Sequence, residues 1–184
     1  SGLLVSPVSS FEKYQLNAAW IWEHQALTRA RFCAGDAAIG ERFEALRDQV
    51  LRQPRDVNKL EEEVMSMRRR MRDAHPNRSM MFDLKHDEGG MIDIEFMVQY
   101  LVLRHACDHP QLTGDIGNIA LLKLAGQLGL IDALLAAEAA NAYRLFRKLQ
   151  HQIRLQGSDR AHIDAIRVEH ERACVIRLWQ QVFG

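Results

Sequence analysis

Residues 82–103 read FDLKHDEGGMIDIEFMVQYLVL, and the fold turns on how that stretch is taken. Residues 82–95 carry five carboxylates (Asp83, Asp87, Glu88, Asp93 and Glu95) with Lys85, His86 and the pair Gly89-Gly90; residues 96–103 are almost pure hydrocarbon. Two geometries compete. A hairpin turning at Glu88-Gly89-Gly90 would put Asp93 and Glu95 on one face of its second strand. A helix starting just after Gly90 puts the same acids at its first turn, where the macrodipole favours negative charge. The continuation FMVQYLVLRHA is too long and too rich in Leu and Met for an ordinary strand. We therefore read a helix over about 91–106, preceded by a short extended piece at 82–85. Apolar residues wrap this helix nearly all round, which marks it as central and buried.

The windows on either side also read as helix, because only four prolines and eleven glycines interrupt them. Ser9-x-x-Glu12 has the form of a capping box and opens a helix to about residue 33. Asp36 can cap a second helix over 37–53. A third, over 57–74, carries the apolar stripe Leu60, Val64, Met67 and Met71. Further helices are expected near 116–128, 132–155 and 160–182. The opening SGLLV is the other strand-like piece. The expected fold is all-α, a bundle of about six to seven helices with a short residual strand at the N-terminus. Because the sequence opens without an initiator Met, in what reads as the tail of a strand, we take it as a piece of a longer polypeptide.

Composition narrows the function classes. Lys and Arg number 24 and so do Asp and Glu, which gives zero formal charge and argues against a general nucleic-acid binder or a polybasic membrane-surface protein. Cys33, Cys107 and Cys174 form no CxxC pair, so a reducing cytoplasm is expected rather than a disulfide framework. No apolar run approaches the roughly 20 residues of a membrane span, and no signal peptide is evident.

The 82–103 stretch is also where the chemistry concentrates. Gly89 and Gly90 permit positive φ and close approach of a ligand or another backbone. N–H groups at the helix start, with Lys85 beside them, could receive a phosphate. Five carboxylates against Lys85 would repel a bare phosphate, however. A metal–phosphate complex, or an arginine from an adjoining domain, fits that loop better. The plain structural alternative is N-capping plus internal salt bridges to arginines such as Arg29 or Arg31. Other features carry less. His105 and His109 have ligand-like spacing, but His109-Pro110 lies past the expected helix end and no third ligand follows. Trp20 and Trp22 read as core and interface. Arg68-Arg69-Arg70 reads as a solvated face, since consecutive helical residues point in different directions. No Ser/His/Asp order, GxSxG, P-loop or GxGxxG is present.

YQLNAAWIWEHQALTRAR at 14–31, DLKHDEGGMIDIEFMVQYLVLRHA at 83–106 and the closing RLWQQVF resemble the family of bifunctional glutamine synthetase adenylyltransferase/adenylyl-removing enzymes. The Gly-Gly-x-x-Asp-Ile-Glu pattern has a cousin in the PII uridylyltransferases, whose nucleotidyltransferase core is likewise followed by a helical domain. The likeness is to the C-terminal, adenylylating half. It implies that residues 1–8 end a nucleotidyltransferase core and that 9–184 form the helical domain after it. It further implies transfer of AMP from ATP to a tyrosine of glutamine synthetase, with Mg²⁺ and ATP as cofactors and control by glutamine and PII-type signal proteins. The family's Gly-Ser and Asp-x-Asp motifs are not found here, and Gly157-Ser158-Asp159 is no substitute. By itself the chain is therefore expected to be inactive. Its expected part is to close over the nucleotide: Lys85, Gly89 and Gly90 face the triphosphate, while Asp87, Asp93, Glu95, Glu23, Arg29 and Arg31 brace the loop or dock the upstream core. The alternative is a non-catalytic docking module for glutamine synthetase, PII protein or glutamine.

Overall fold

A computed structural model describes residues 5–114 and 116–184. Among these residues eight α-helices run in the order α1 (Val8–Asn17), α2 (Ile21–Leu27), α3 (Ala37–Leu51), α4 (Val57–Ala74), α5 (Met91–His105), α6 (Asn118–Gln127), α7 (Ala133–Leu155) and α8 (Glu169–Phe183). Two short strands, β1 (Phe82–Asp83) and β2 (His162–Ile163), pair antiparallel with Phe82 opposite Ile163 and Asp83 opposite His162. The all-α expectation holds, with a two-strand clip added.

The helix reading of 82–103 is the correct one. Helix α5 packs against α2, α4, α6, α7 and α8, and eleven of its fifteen residues are buried. Only Glu95, Gln99, Arg104 and His105 escape full burial, and the first two, four residues apart, share one edge of the helix. Tyr100, Met97, Ile94 and Leu103 are wholly buried and join Phe146 of α7 and Leu178 of α8 in one continuous core.

Three boundaries differ from the sequence reading, each for a local reason. The single helix expected to residue 33 breaks at 18–20, where Trp20 is extended and its N–H donates to Glu23 Oε2 at 2.8 Å. The cap at Ser9 is not used, since Val8 already begins α1 and Pro7 stands in the N-cap position. The last helix starts at Glu169 rather than near 160. Residues 162–163 are taken by the clip with β1, and Asp164 turns the chain by accepting from Ile166 N. Of the strand expected at the N-terminus, residues 1–4 lie outside the described residues and 5–7 are not strand.

The α6–α7 hairpin sets the wall that matters for function. Helix α6 ends in a left-handed Gly129 (φ +70°), with Leu130 N–H reaching back to Ala125 O. Asp132 then caps α7 through Leu135 N. Buried Ala136, Ala139, Ala140 and Ala142 let the two helices approach closely; a Cβ on Gly126 would stand 3.0 Å from the Ala136 methyl. At the other side, buried Arg47 of α3 donates to the carbonyls of Leu27, Thr28 and Thr113. It fixes the end of α2 and so the placement of Arg29.

His24 gives the fold a pH signature. It is buried, with Nε2 on Gln15 O and Nδ1 facing Arg55 Nη1, both at 3.0 Å. Burial, reinforced by Arg55, holds its pKa below the ordinary value against the pull of the Gln15 carbonyl. Burial depresses His105 likewise. A histidine depressed in the folded state leaves the unfolded chain binding more protons. Stability is therefore full above the unfolded value of about 6.5 and is lost as pH falls below it. Thermal unfolding midpoints should drop between pH 7.5 and 5.5. A His24→Gln variant should show a shallower drop, with His105 carrying the remainder.

Candidate functional site

The 83–90 loop is built by its own carboxylates. Asp83 Oδ1 accepts from the N–H groups of Lys85 and His86, at 2.8 and 3.2 Å. Asp87 Oδ2 accepts from Asp83 N at 2.8 Å and from Asn77 Nδ2 at 2.6 Å. Asp93 reaches back from the first turn of α5 to accept Gly89 N–H at 2.6 Å. Its other oxygen takes Arg68 Nε at 2.5 Å, and Arg68 Nη2 donates to His86 O at 2.8 Å. Both side chains of this ion pair are nearly sealed from solvent, 6% and 7% exposed. Burial raises the pKa of Asp93 above the usual carboxylate range, against the counter-pull of Arg68 and of Gly89 N–H.

Two expectations change here. Asp93 finds its arginine in Arg68, within the chain, rather than in Arg29, Arg31 or a neighbouring domain. Arg68 in turn is not part of a solvated face. The start of α5 is also closed to an anion. Gly90 N–H bonds Asp87 O, Met91 N–H bonds Leu84 O, and Ile92 N–H bonds Lys85 O. Both glycines serve packing. Gly89 has φ +82°, and a Cβ there would lie 2.6 Å from Arg172 Cγ; one on Gly90 would lie 2.9 Å from the carbonyls of Leu84 and Asp87. Glu88 completes the set with a looser, exposed contact to Arg72 at 3.6 Å.

Glu95 belongs to a different network. Tyr143 Oη donates to it at 2.7 Å, Asn118 Nδ2 donates to Tyr143 Oη at 3.0 Å, and Arg29 Nη1 donates to Asn118 Oδ1 at 3.1 Å. The chain of bonds ties the turn after α2 to α6, α7 and α5 beneath an open groove of about 290 Å³. Arg29, Lys85, Arg147 and Arg154 line that groove, with Glu95 as its single carboxylate. Lys85, Arg147 and Arg154 have no side-chain ion pair or hydrogen bond among the described residues. The arginines of α7 were missed in the sequence. Their signal was there in Tyr143, Arg147, Gln150 and Arg154, spaced i, i+4, i+7 and i+11 on one helical face.

The remaining candidates lie elsewhere. Glu23 is engaged by Trp20 N–H and Tyr14 Oη at the α1–α2 corner. Trp20 and Trp22 are not core residues: they are 66% and 50% exposed. The three cysteines are free thiols, and burial, with Glu138 beside it, pushes Cys174 up to about 11, which disfavours a nucleophilic role. Ser79, His162 and Asp83 fall in one region. The Ser79 hydroxyl is directed at Asn77 Oδ1 at 2.7 Å, however, and stands 3.5 Å from the His162 ring, so no activated nucleophile results. Among the described residues no group of three or more His, Cys, Asp or Glu side chains is arranged to hold a metal, and no helix is long and apolar enough to cross a membrane.

The Arg68–Asp93 pair should behave as a coupled buried unit. Asp93→Asn, which leaves a buried guanidinium uncompensated, should cost about 3–5 kcal/mol in urea unfolding. Arg68→Met added to Asp93→Asn should recover most of that loss, whereas simple additivity of the two changes would show that the pair is uncoupled.

Residues 44–170 match the family described as GlnD PII-uridylyltransferase, and residues 1–46 match the family described as Glutamate-ammonia ligase adenylyltransferase. Over 184 residues the chain is 58% identical to the bifunctional glutamine synthetase adenylyltransferase/adenylyl-removing enzyme of Aromatoleum aromaticum, covering 100% of this chain and 20% of that protein. The proteins of the same name from Bordetella bronchiseptica and Ralstonia nicotianae are 54% and 56% identical, over 99% and 100% of this chain and 19% and 20% of their own length. The chain thus spans about a fifth of the length of the curated relatives it matches.

Proposed function

The chain belongs to the family described as GlnD PII-uridylyltransferase, in the branch whose relatives are bifunctional glutamine synthetase adenylyltransferase/adenylyl-removing enzymes, and on that premise we propose that it is the helical domain lining the phosphate side of a nucleotidyltransferase's ATP site. Residues 9–184 form that domain, and residues 1–8 end the catalytic core before it. The reaction served is transfer of AMP from ATP to a tyrosine of glutamine synthetase, under control by a PII-type signal protein, with the reactive carboxylates supplied by the core.

One observation carries this reading: Arg29, Lys85, Arg147 and Arg154 converge from the turn after α2, the 83–90 loop and α7 on one groove that holds a single carboxylate. In a chain of zero net charge, such a local excess of cations is an anion site, and guanidinium forks suit phosphate oxygens. The work of this chain is positional. The Arg68–Asp93 pair and the Asp83 and Asp87 turns hold the loop so that Lys85 projects beside the α7 arginines. The Glu95–Tyr143–Asn118–Arg29 network holds the α2 wall against them. Mg²⁺ bound with ATP would draw charge from the phosphoryl oxygens and steady the leaving pyrophosphate. The cationic groove fits a phosphate chain, while the metal's ligands fall to the core, because the loop carboxylates here are already engaged. Gly89 and Gly90 support the site as packing residues rather than as donors.

A docking role has its own support on another face. Exposed Trp20 and Trp22 border a shallow groove with Met67 and Arg70, well suited to a protein partner.

In the full-length polypeptide, Lys85→Ala and Arg147→Ala should each weaken binding of a Mg²⁺–ATP analogue by about 5- to 10-fold, the worth of one charge-assisted phosphate contact. Unchanged affinity in folded variants would remove the nucleotide role of this groove.

A further inference from the structure

Beyond Lys85 the cationic surface does not end. It opens into a second, larger groove of about 400 Å³, bounded by the 74–78 turn after α4, the 83–86 loop, α7 and the 159–162 segment that leads into β2. We propose that this groove is a separate anion site built for an oligophosphate: a free pyrophosphate-like anion or the phosphate chain of a small phosphorylated metabolite.

Four cations line it, namely Arg78, Lys85, Arg154 and Arg160. None of the four side chains is engaged in an ion pair or hydrogen bond among the described residues. Two carboxylates face them, Asp83 and Asp159. Asp83 is already engaged within its own loop. Burial alone would raise its pKa, but hydrogen bonds from His86 and from the Lys85 and His86 N–H groups outweigh burial and lower it. The lining also includes three imidazoles. His75 and His86 stack face to face, 4.6 Å between centroids and 4° from parallel. Asp83 Oδ2 stands 3.0 Å from His86 Nδ1, which anchors that ring, and 3.6 Å from His162 Nε2.

The charge balance selects the ligand. Four cations and two carboxylates leave the lining with a formal excess of two positive charges, counting the imidazoles as neutral. A monocarboxylate would leave most of those donors unmatched. A phosphate chain carries two to three charges and several acceptor oxygens, and three planar guanidinium groups can take them in pairs. The volume suits a small molecule rather than a helix or strand. Arg78 and Arg160 line only this groove, Arg147 lines only the other, and Lys85 and Arg154 line both. Arg78 and Arg160 on one side and Arg147 on the other therefore give each groove its own test.

Titration of inorganic pyrophosphate into the 184-residue chain, followed through the His75, His86 and His162 side-chain resonances, tests the site. The expected result is a saturable shift with Kd at or below about 1 mM, weakened at least 10-fold by Arg78→Gln with Arg160→Gln and changed less than about 2-fold by Arg147→Gln. 5-Phosphoribosyl 1-diphosphate, which carries an esterified diphosphate, run in parallel separates the sources: weaker binding than pyrophosphate assigns the site to the bare chain, equal or tighter binding to the diphosphate of a phosphorylated metabolite. Shifts that do not saturate, that chloride reproduces at matched ionic strength, or that survive the double variant would overturn the assignment. If Lys85→Ala leaves Mg²⁺–nucleotide binding intact in the full-length polypeptide while pyrophosphate still saturates here, the nucleotide reading fails and this one holds.

Discussion

The buried ion pair between Arg68 of α4 and Asp93 of α5 is the constraint on which the rest of the site depends. It joins residues that are 25 apart in sequence, and each partner also holds the loop between them. Asp93 takes the Gly89 N–H, and Arg68 takes the His86 carbonyl. Pairs of this kind contribute little net stability over an apolar replacement, because desolvating two charges offsets their attraction. What they supply is geometry. With Nη1 of Arg68 left without a partner, the arrangement is a costly one, and what it secures is the placement of the 86–89 loop against α4 and α5.

That loop explains how a neutral chain presents a basic groove. The acids of the 83–95 segment turn toward backbone N–H groups, Asn77, Arg68, His86 and Tyr143, except for the exposed Glu88, which reaches only Arg72. Once they are so engaged, Lys85 is left facing outward beside Arg147 and Arg154 of α7. Net charge counts residues without regard to direction, whereas binding depends on which charges remain unsatisfied on one face. The internal satisfaction of the carboxylates is what creates the local excess.

Much of the fold was legible because its signals are local. The all-round apolar run after Gly90, the Asp36 cap and the stripe on α4 each report on one helix. The site was legible only in part. Lys85 and Arg29 were singled out, yet the glycines beside Lys85 suggested a phosphate cradle where the structure has a packed turn against Arg172. A glycine pair looks the same whether it admits a ligand or a neighbouring backbone. Arg68 was misread because it stands in a run of three arginines. Its position four residues after Val64 and eight after Leu60 puts it on the buried stripe, a phase that charge alone conceals. The break at 18–20 and the β1–β2 clip rest on one side-chain acceptor and on pairing across about 80 residues, and neither leaves a periodic trace.

The most direct measurement of this account is amide exchange at Gly89 and Gly90 in the full-length polypeptide, with and without a Mg²⁺–ATP analogue. If Asp93 and the loop carbonyls already hold these N–H groups, both amides exchange slowly without nucleotide and do not change when it is added. Fast exchange that becomes protected only on adding nucleotide would contradict the internally braced loop and return the glycines to the phosphate.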